Sequence, residues 1–457
     1  MDSISRRMAR FALSLRYEAI PEPALRMAKQ LLLDSMGCAL GAARLKDVQL
    51  SYDYVQQLGG KRQASIIWYG DKTNMPNAVL MNSFMIRAMD YNDIYWKQDP
   101  CHPSDMIPAA LAPAEYRGVG GKELLTAIVV AYELEMRLCL AAEPGIREVG
   151  WHHASLTQFV SPLIAGRILG LSEDQMVSAL GIAGSSHFTL GAVVAGHLTN
   201  MKNAADPMAT EAGVRAALLA ATGYLGPPEV FEGKEGVFEV LSKVTWNRNA
   251  LLDRLGEDFL ITQCSFKAFP TEALTHQPIT AALEIMQEAK IDFREVKEVL
   301  VETTTRGADI LSDQSKYHPS TKETADHSLP YCIAVAIAKG NVLPSDFEEK
   351  ALEDQTVLEL LAKIKVIANP EIDAIFPNVK RAIVTITTKD GRTFKRQEDF
   401  ARGEPNRPLS QLDLIAKFQA NARIALNKRQ REKLIQATLT IDQCKNVRGY
   451  MPFLIRA

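Results

Sequence analysis

Read for hydrophobic and polar positions alone, the first 260 or so residues are a succession of helices. Ile20-Pro21-Glu22-Pro23 closes a first amphipathic helix. Leu25, Ala28, Leu32, Met36 and Ala39 then recur at helical spacing and predict a second, with Pro23 in its first turn. Residues 62–70 (RQASIIWYG) interrupt the pattern as a short strand or extended loop, and helix resumes over Met75 to Met89. Pro108 and Pro113 permit only short or kinked helix. Lys122 to Ala142 is strongly apolar and predicts a buried helix. Ala154 to Leu169 predicts another, stopped by Gly170, and Ser172 with Gln175 forms a capping box for the next. Gly181 to Gly196 is rich in small residues, which suits close packing or room for a ligand. Asp206-Pro207 reads as a helix start, with the helix running to Gly223.

The period changes after about residue 262. Val296 to Thr305 alternates and is β-branched, which predicts a strand; Lys363 to Ala368 predicts a second. Arg381 to Thr388 and Arg392 to Arg396 flank Lys389-Asp390-Gly391, a hairpin signal. Helices over Leu274 to Ala289 and Ser328 to Lys339 intervene, and amphipathic helix returns from Leu409 to about Ala437. The expected fold is mainly α, with a helical domain built from 1–262 and 402–457, because chain ends often lie close together. Residues 263–401 form a smaller α+β domain in this reading.

One stretch breaks the helical pattern sharply. Residues 87–105, RAMDYNDIYWKQDPCHPSD, place four aspartates, His102 and three aromatics between apolar segments. A polar, aromatic interruption of this kind lines a cleft or makes a rigid loop.

Composition narrows the chemistry. The 457 residues are 47% hydrophobic and 23% charged, as in a soluble globular protein. A net charge of −2 offers no general attraction for nucleic acid or an anionic membrane. No run of 18 apolar residues suggests a transmembrane helix. Arg16 and Glu18 break the apolar N-terminal stretch, so a secretory signal is not expected. The six cysteines never stand in a C-x-x-C spacing, which argues against zinc-ribbon and local iron–sulfur sites. Cys38, Cys139 and Cys332 suit buried thiols, and a cytoplasmic, reducing compartment is the simplest home. Nucleotide-binding loops, H-E-x-x-H and G-x-S-x-G are missing.

What remains is acid–base material in five groups. The first is Asp90, Asp93, His102, Ser104 and Asp105, with Asp105 equally readable as a helix cap. The second is Trp151-His152-His153, where one histidine suits acid–base work and the other a cap or surface position. Lys202, upstream of Asp206-Pro207, either meets an anion at a helix start or is an ordinary surface charge. Lys267 sits between Phe266 and Phe269, with His276 beyond, and is open to a snorkelling role. Asp326-His327-Ser328-Leu329-Pro330-Tyr331 opens an apolar helix, so capping competes there with a place in a site. Lysines and histidines without metal-type clusters suit a carboxylate-rich substrate and a proton moved next to a carboxylate.

These groups, in this order, resemble the MmgE/PrpD family of 2-methylcitrate dehydratases, cis-aconitate decarboxylases and an iminodisuccinate epimerase. The resemblance begins at LLLDSMGCALGAA and continues through MDYND…HPSD, SFKAFP…TH and TADHSLPY. It implies a large helical domain from both chain ends and an α+β lid, with the active site between them. It also implies a homodimer that needs no cofactor, no metal and no iron–sulfur cluster. Carried over by position, it implies catalytic roles for Asp90, His102, His152 (rather than His153), Lys202 and Lys267, and substrate contacts for Ser104, His276 and Tyr331. Many family members have threonine where this chain has Ile94 in DYNDIYW. That departure argues against simple cis-aconitate decarboxylation.

The resulting expectation is a cofactor-independent hydro-lyase on a small di- or tricarboxylate, of the 2-methylcitrate dehydratase type. Epimerisation or decarboxylation of a related acid keeps the same site. A non-catalytic carboxylate-binding relative is the alternative from another class.

Overall fold

Helices dominate the computed structural model, which describes residues 2–195 and 198–456. Gly196, at the end of the small-residue stretch, and His197 lie outside the described residues. The second helix spans Glu22–Gly41 with Pro23 in its first turn. Met75–Arg87, Gly121–Ala141 and Ala154–Leu169 follow, each buried along most of its length, as expected of apolar segments of this length. The capping box of Ser172 and Gln175 is present at Glu173–Gly184. Cys38, Cys139 and Cys332 are buried thiols.

Two expectations change. Asp206-Pro207 does not start a helix: the helix is Met201–Ala221, and Pro207 lies inside it. Residues 202–207 are all buried, and Asn203 donates to Asp47 at 2.8 Å and Glu323 at 3.2 Å. Packing of that first turn outweighs the roughly 3 kcal/mol that an interior proline costs. The consequence is functional, because Lys202 and Asp206 now share one helix face, one turn apart. The amphipathic run from Leu409 is two helices, Gln411–Ala422 and Lys428–Leu439, each with its own capping box.

The β material forms a four-stranded sheet in the order Thr393–Glu398, Ala382–Thr388, Val296–Thr303, Ile364–Ala368. The last pair is parallel, with Val301 opposite Val366, and the other pairs are antiparallel, with Val301 opposite Val384. Helices His276–Glu288 and Leu329–Lys339 cover it. One apolar core draws on residues from Ile4 to Phe266 and from Leu414 to Leu454. A second draws on Phe269 to Ile386, joined by Trp96.

The C-terminal helix Gln411–Ala422 seats on Glu22–Gly41, where a side chain at Gly37 would meet Phe418 at 3.0 Å. Beside that contact, the buried ammonium of Lys417 reaches Asp34 at 2.8 Å and donates to the Tyr91 carbonyl at 2.7 Å. It also lies 4.0 Å above the Tyr91 ring. One lysine thus ties both ends of the chain to the stretch 87–105. Lys417→Met is expected to lower stability by about 3–5 kcal/mol, because it leaves the buried Asp34 carboxyl without its partner in the core. Urea unfolding checks this, and Asp34→Asn in the same chain should recover part of the loss; no recovery would show that the pairing is not the cause.

Candidate active site

The helix Met75–Arg87 delivers the chain into a sharp turn at Asp90, whose φ is 48°. Aspartate tolerates this left-handed region better than most residues. The turn is closed by the Asp90 amide donating to the Arg87 carbonyl at 2.9 Å. Tyr95–Trp96 and Pro100–Cys101 then pair as a minimal hairpin. The stretch 264–271 docks alongside. Ile94 and Ser265 exchange backbone hydrogen bonds of 3.0 and 2.9 Å, and Tyr91 donates its hydroxyl to the Ala268 carbonyl at 3.0 Å. Segments 170 residues apart in sequence are thereby zipped together, and Lys267 faces Asp90.

Asp90 is the hub. Lys267 donates to its carboxylate at 2.8 Å and to its carbonyl at 3.1 Å, Lys202 lies 3.4 Å from the other carboxylate oxygen, and Arg87 pairs with it directly. Burial alone would raise the Asp90 carboxyl, but Lys202, Lys267 and Arg87 outweigh it and hold the group well below the usual range. Burial lowers the Lys267 ammonium, against the pull of Asp90. Lys202 also reaches Asp326 at 3.2 Å. Asp326 and Ser328 both precede the helix Leu329–Lys339, where capping competes with a place in the site. Ser328 takes the cap, accepting from the Tyr331 amide at 3.1 Å, which leaves Asp326 for Lys202, Lys322 and His327.

Burial keeps three histidines neutral. His102 is pushed well below its ordinary value by burial, then by Arg87 and Lys267. His152 is lowered by burial and by His153, and His327 is lowered to about 4 by burial and Lys202. Their neighbours set the tautomers. The Nδ1–H of His102 donates to the Asp93 carbonyl at 2.6 Å, so Nε2 carries the lone pair. His327 places Nδ1 2.7 Å from the Asp326 carboxylate, with the same result. His152 is reversed: its Nδ1 accepts the Ala154 amide at 3.2 Å, so its proton sits on Nε2. The His153 ring lies over His152 at 3.9 Å and has Asp206 3.4 Å away.

A cavity of about 330 Å³ joins these groups. Asp90, His102, His152, His153, Lys267 and His327 line it, with Ile94, Glu272, Arg147 and Lys316. Four expected residues sit elsewhere. Lys202 is fully buried behind Asp90 and does not line the cavity. Ser104 is enclosed, donating to Asp93 at 2.6 Å and accepting from Asn92 at 2.9 Å. The Tyr331 hydroxyl is held by the Asp346 and Ala351 carbonyls within the second core. His276 lines a smaller neighbouring cavity of about 120 Å³ that shares Ile94, Trp96 and Ala273 with the first. Asp93 and Asp105 act as scaffold, Asp93 fixing Ser104 and Asp105 accepting from Asn92 at 3.0 Å. The sequence reading passed over Glu272, which burial pushes up to about 7. Its only signal was its place between Lys267 and His276.

Among the described residues, two groups bring potential metal ligands within 4.8 Å of one another: His152, His153 and Asp206, and Asp90, Asp326 and His327. Protein cations already sit on both. Lys202 bridges Asp90 and Asp326, and Arg87 lies 3.8 Å from Asp206. A divalent ion would have to bind against that positive charge.

Comparison with known proteins matches the sequence of the chain to a family. The MmgE/PrpD N-terminal domain matches residues 6–248 and the MmgE/PrpD C-terminal domain residues 269–442. The chain is 26% identical to a 2-methylcitrate dehydratase of Salmonella typhi over 455 residues, covering 93% of this chain and 91% of the relative. It is 25% identical to a 2-methylcitrate dehydratase of Cupriavidus necator, covering 94% and 92% of the two chains. It is also 25% identical to a cis-aconitate decarboxylase of Homo sapiens, covering 98% and 93%.

Asp90→Asn should destabilise the protein by about 3–5 kcal/mol at pH 7, because it leaves Arg87, Lys202 and Lys267 without their shared counter-charge. The depressed carboxyl contributes in full above its ordinary value of 3.8 and loses its contribution as pH falls through its folded-state value. The gap between variant and wild type should therefore hold from pH 7 down to about 4 and narrow only below. Equal urea midpoints at pH 7 would refute the shared-charge account.

Proposed function

The chain belongs to the MmgE/PrpD family, and on that premise we propose that it is a hydro-lyase of the 2-methylcitrate dehydratase type, acting on a small di- or tricarboxylate without a cofactor. The observation that carries this reading is the neutral His102, locked with its lone pair on Nε2 beside the Asp90 cluster. A neutral imidazole in a fixed tautomer is a base, and the nearby cations favour the enediolate charge that forms when a carbon next to a carboxylate loses its proton.

In the proposed reaction, His102 Nε2 takes that proton and the C–H electron pair forms the alkene. The neighbouring C–O bond breaks, and the hydroxyl leaves as water with a proton from Glu272. Burial keeps Glu272 protonated up to about 7, which suits it to donate at neutral pH. His152, with its proton on Nε2, is a hydrogen-bond donor to the same intermediate. Lys267 and Asp90 hold the field and the geometry, and Lys202 positions Asp90 and Asp326 from behind. Under the same reading, residues 263–401 cover the helical domain, the assembly is a homodimer, and the enzyme works in the cytoplasm.

Ile94 supports a second outcome. It lines the cavity where many family members carry threonine, so that hydroxyl is missing from the site. Reprotonation of the same intermediate on the other face would make the enzyme an epimerase; decarboxylation, in which CO2 leaves and a proton takes its place on the carbon, uses the same site but is disfavoured for cis-aconitate by the missing hydroxyl. Incubation in D2O with 2-methylcitrate, citrate, cis-aconitate and iminodisuccinate separates these by proton NMR. Alkene formation supports dehydration, exchange without elimination supports epimerisation, and CO2 release supports decarboxylation. No change with any of them would remove the lyase reading for these acids, and activity lost to EDTA would overturn metal independence.

If Glu272 is the acid, kcat should fall as pH rises above about 7, where its carboxyl ionises. Glu272→Gln should lower kcat by about 100-fold or more and abolish that alkaline limb. A variant that keeps both the rate and the limb would take the proton donor away from Glu272.

A further inference from the structure

We propose that the carboxylates of the substrate remote from the reacting carbon are held by Arg147 and Lys316, one cation from each side of the cavity, and that this pair selects acids with three carboxylates. The inference rests on the carboxylate-lyase reading of the same cavity, and extends it to groups that neither the motifs nor the family positions single out.

The cations first expected to grip substrate are already engaged. An ammonium has three protons, and Lys267 directs its own to the Asp90 carboxylate, the Asp90 carbonyl and the Thr271 carbonyl at 2.8, 3.1 and 2.9 Å. Lys202 bridges Asp90 and Asp326 and does not line the cavity. Arg87 faces Asp90, Asp105 and Asp206. These groups create a positive field: the Lys267 donors are taken up by protein oxygens, and the Arg87 charge, which also lines the cavity, is shared among three protein carboxylates.

Arg147 and Lys316 differ. Both line the cavity. Among the described residues, no hydrogen bond or ion pair engages the Arg147 guanidinium. Lys316 Nζ, again among the described residues, forms an ion pair with Asp313 alone, at 3.7 Å, beyond hydrogen-bond reach. Asp313 is itself exposed and turned to its own helix start, where it accepts from the Ser315 amide at 2.9 Å. Lys316 is 2% exposed, so its charge has little water to compensate it. Burying a cation without a hydrogen-bonded partner is costly, and a ligand carboxylate would offset that cost.

Both positions are built rather than incidental. Arg147 sits in the turn Ile146–Val149, which is pinned to the polar stretch because the Ile146 amide donates to Asp99 at 3.1 Å. Gly145 permits that approach: a side chain there would come within 2.7 Å of the Asp99 carboxylate. Lys316 is held through its carbonyl, which accepts the Ser328 hydroxyl at 2.6 Å, and Ser328 directly follows His327. The two cations are thereby registered to the acid–base residues, Arg147 through the first core and Lys316 through the second. A carboxylate next to the reacting carbon lies by His102 and Lys267, and the two remaining carboxylates meet Arg147 and Lys316.

The test is binding of propane-1,2,3-tricarboxylate, which has no hydroxyl to lose, to the full chain by calorimetry, beside glutarate and butyrate. The wild type should bind the tricarboxylate at least tenfold more tightly than glutarate, and glutarate more tightly than butyrate. Arg147→Gln and Lys316→Met should each weaken the tricarboxylate at least tenfold and bring it close to glutarate. Arg147→Lys and Lys316→Arg should restore part of the loss, and thermal melts verify that each variant folds. Should Arg147→Gln not fold, Arg147→Lys is the deciding variant, expected to bind several-fold more weakly because it keeps the charge and loses the planar fork. Folded variants that bind as the wild type does, or a wild type that does not rank the three acids, would overturn the proposal. Absence of turnover with an intact ranking would instead count against the lyase reading alone.

Discussion

The site depends on one buried carboxylate shared by three cations. Arg87, Lys202 and Lys267 come from three separate stretches of chain, and each is at most 4% exposed. Asp90 is the counter-charge that all three share at that depth, and they in turn keep it ionised against its burial. The arrangement forces the helix Met75–Arg87, the helix Met201–Ala221 and the loop after Ser265 into one place. Lys417 performs a similar service from behind, linking Asp34 to the Tyr91 carbonyl and so bracing the turn that holds Asp90.

That cluster also governs the acid–base chemistry around it. Positive charge beside a buried imidazole disfavours a second positive charge, which helps to keep His102 and His327 neutral. The same desolvation acts in the opposite sense on a carboxyl and keeps Glu272 protonated up to about 7. Burial thus prepares bases and an acid within one cavity, while fixed backbone and carboxylate partners decide which ring nitrogen carries the proton.

The division of labour among the cations follows from hydrogen-bond capacity. Lys267, whose three protons are taken up by protein oxygens, shapes the field and the geometry and has no donor left for a ligand, and Lys202 lies outside the cavity. Recognition passes to cations whose donors remain open. A motif lysine and a substrate-gripping lysine are for this reason different things, even when both face one cavity.

Much of this was legible in the sequence, for physical reasons. Helical periodicity, the switch to alternation after residue 262, the capping box at Ser172 and the hairpin at Asp390-Gly391 are local signals, and the chain follows them. The polar stretch 87–105 and Lys267 stand out because charged residues flanked by apolar segments must be paired or functional. Other features could not be read locally. Asp206-Pro207 has the local chemistry of a helix start, and burial of the preceding turn overrides it. Tyr331 belongs to a family motif, yet its hydroxyl is satisfied inside the second core. Glu272, Arg147 and Lys316 carry no motif; what distinguishes them is desolvation or open hydrogen-bond donors, and burial of these groups depends on neighbours distant in sequence. The sequence by itself determined the elements and the kinds of charge available to the site. Only the tertiary structure decided which charges neutralise one another and which stay open, because pairing, burial and tautomer are set by contacts between segments that the chain order does not bring together.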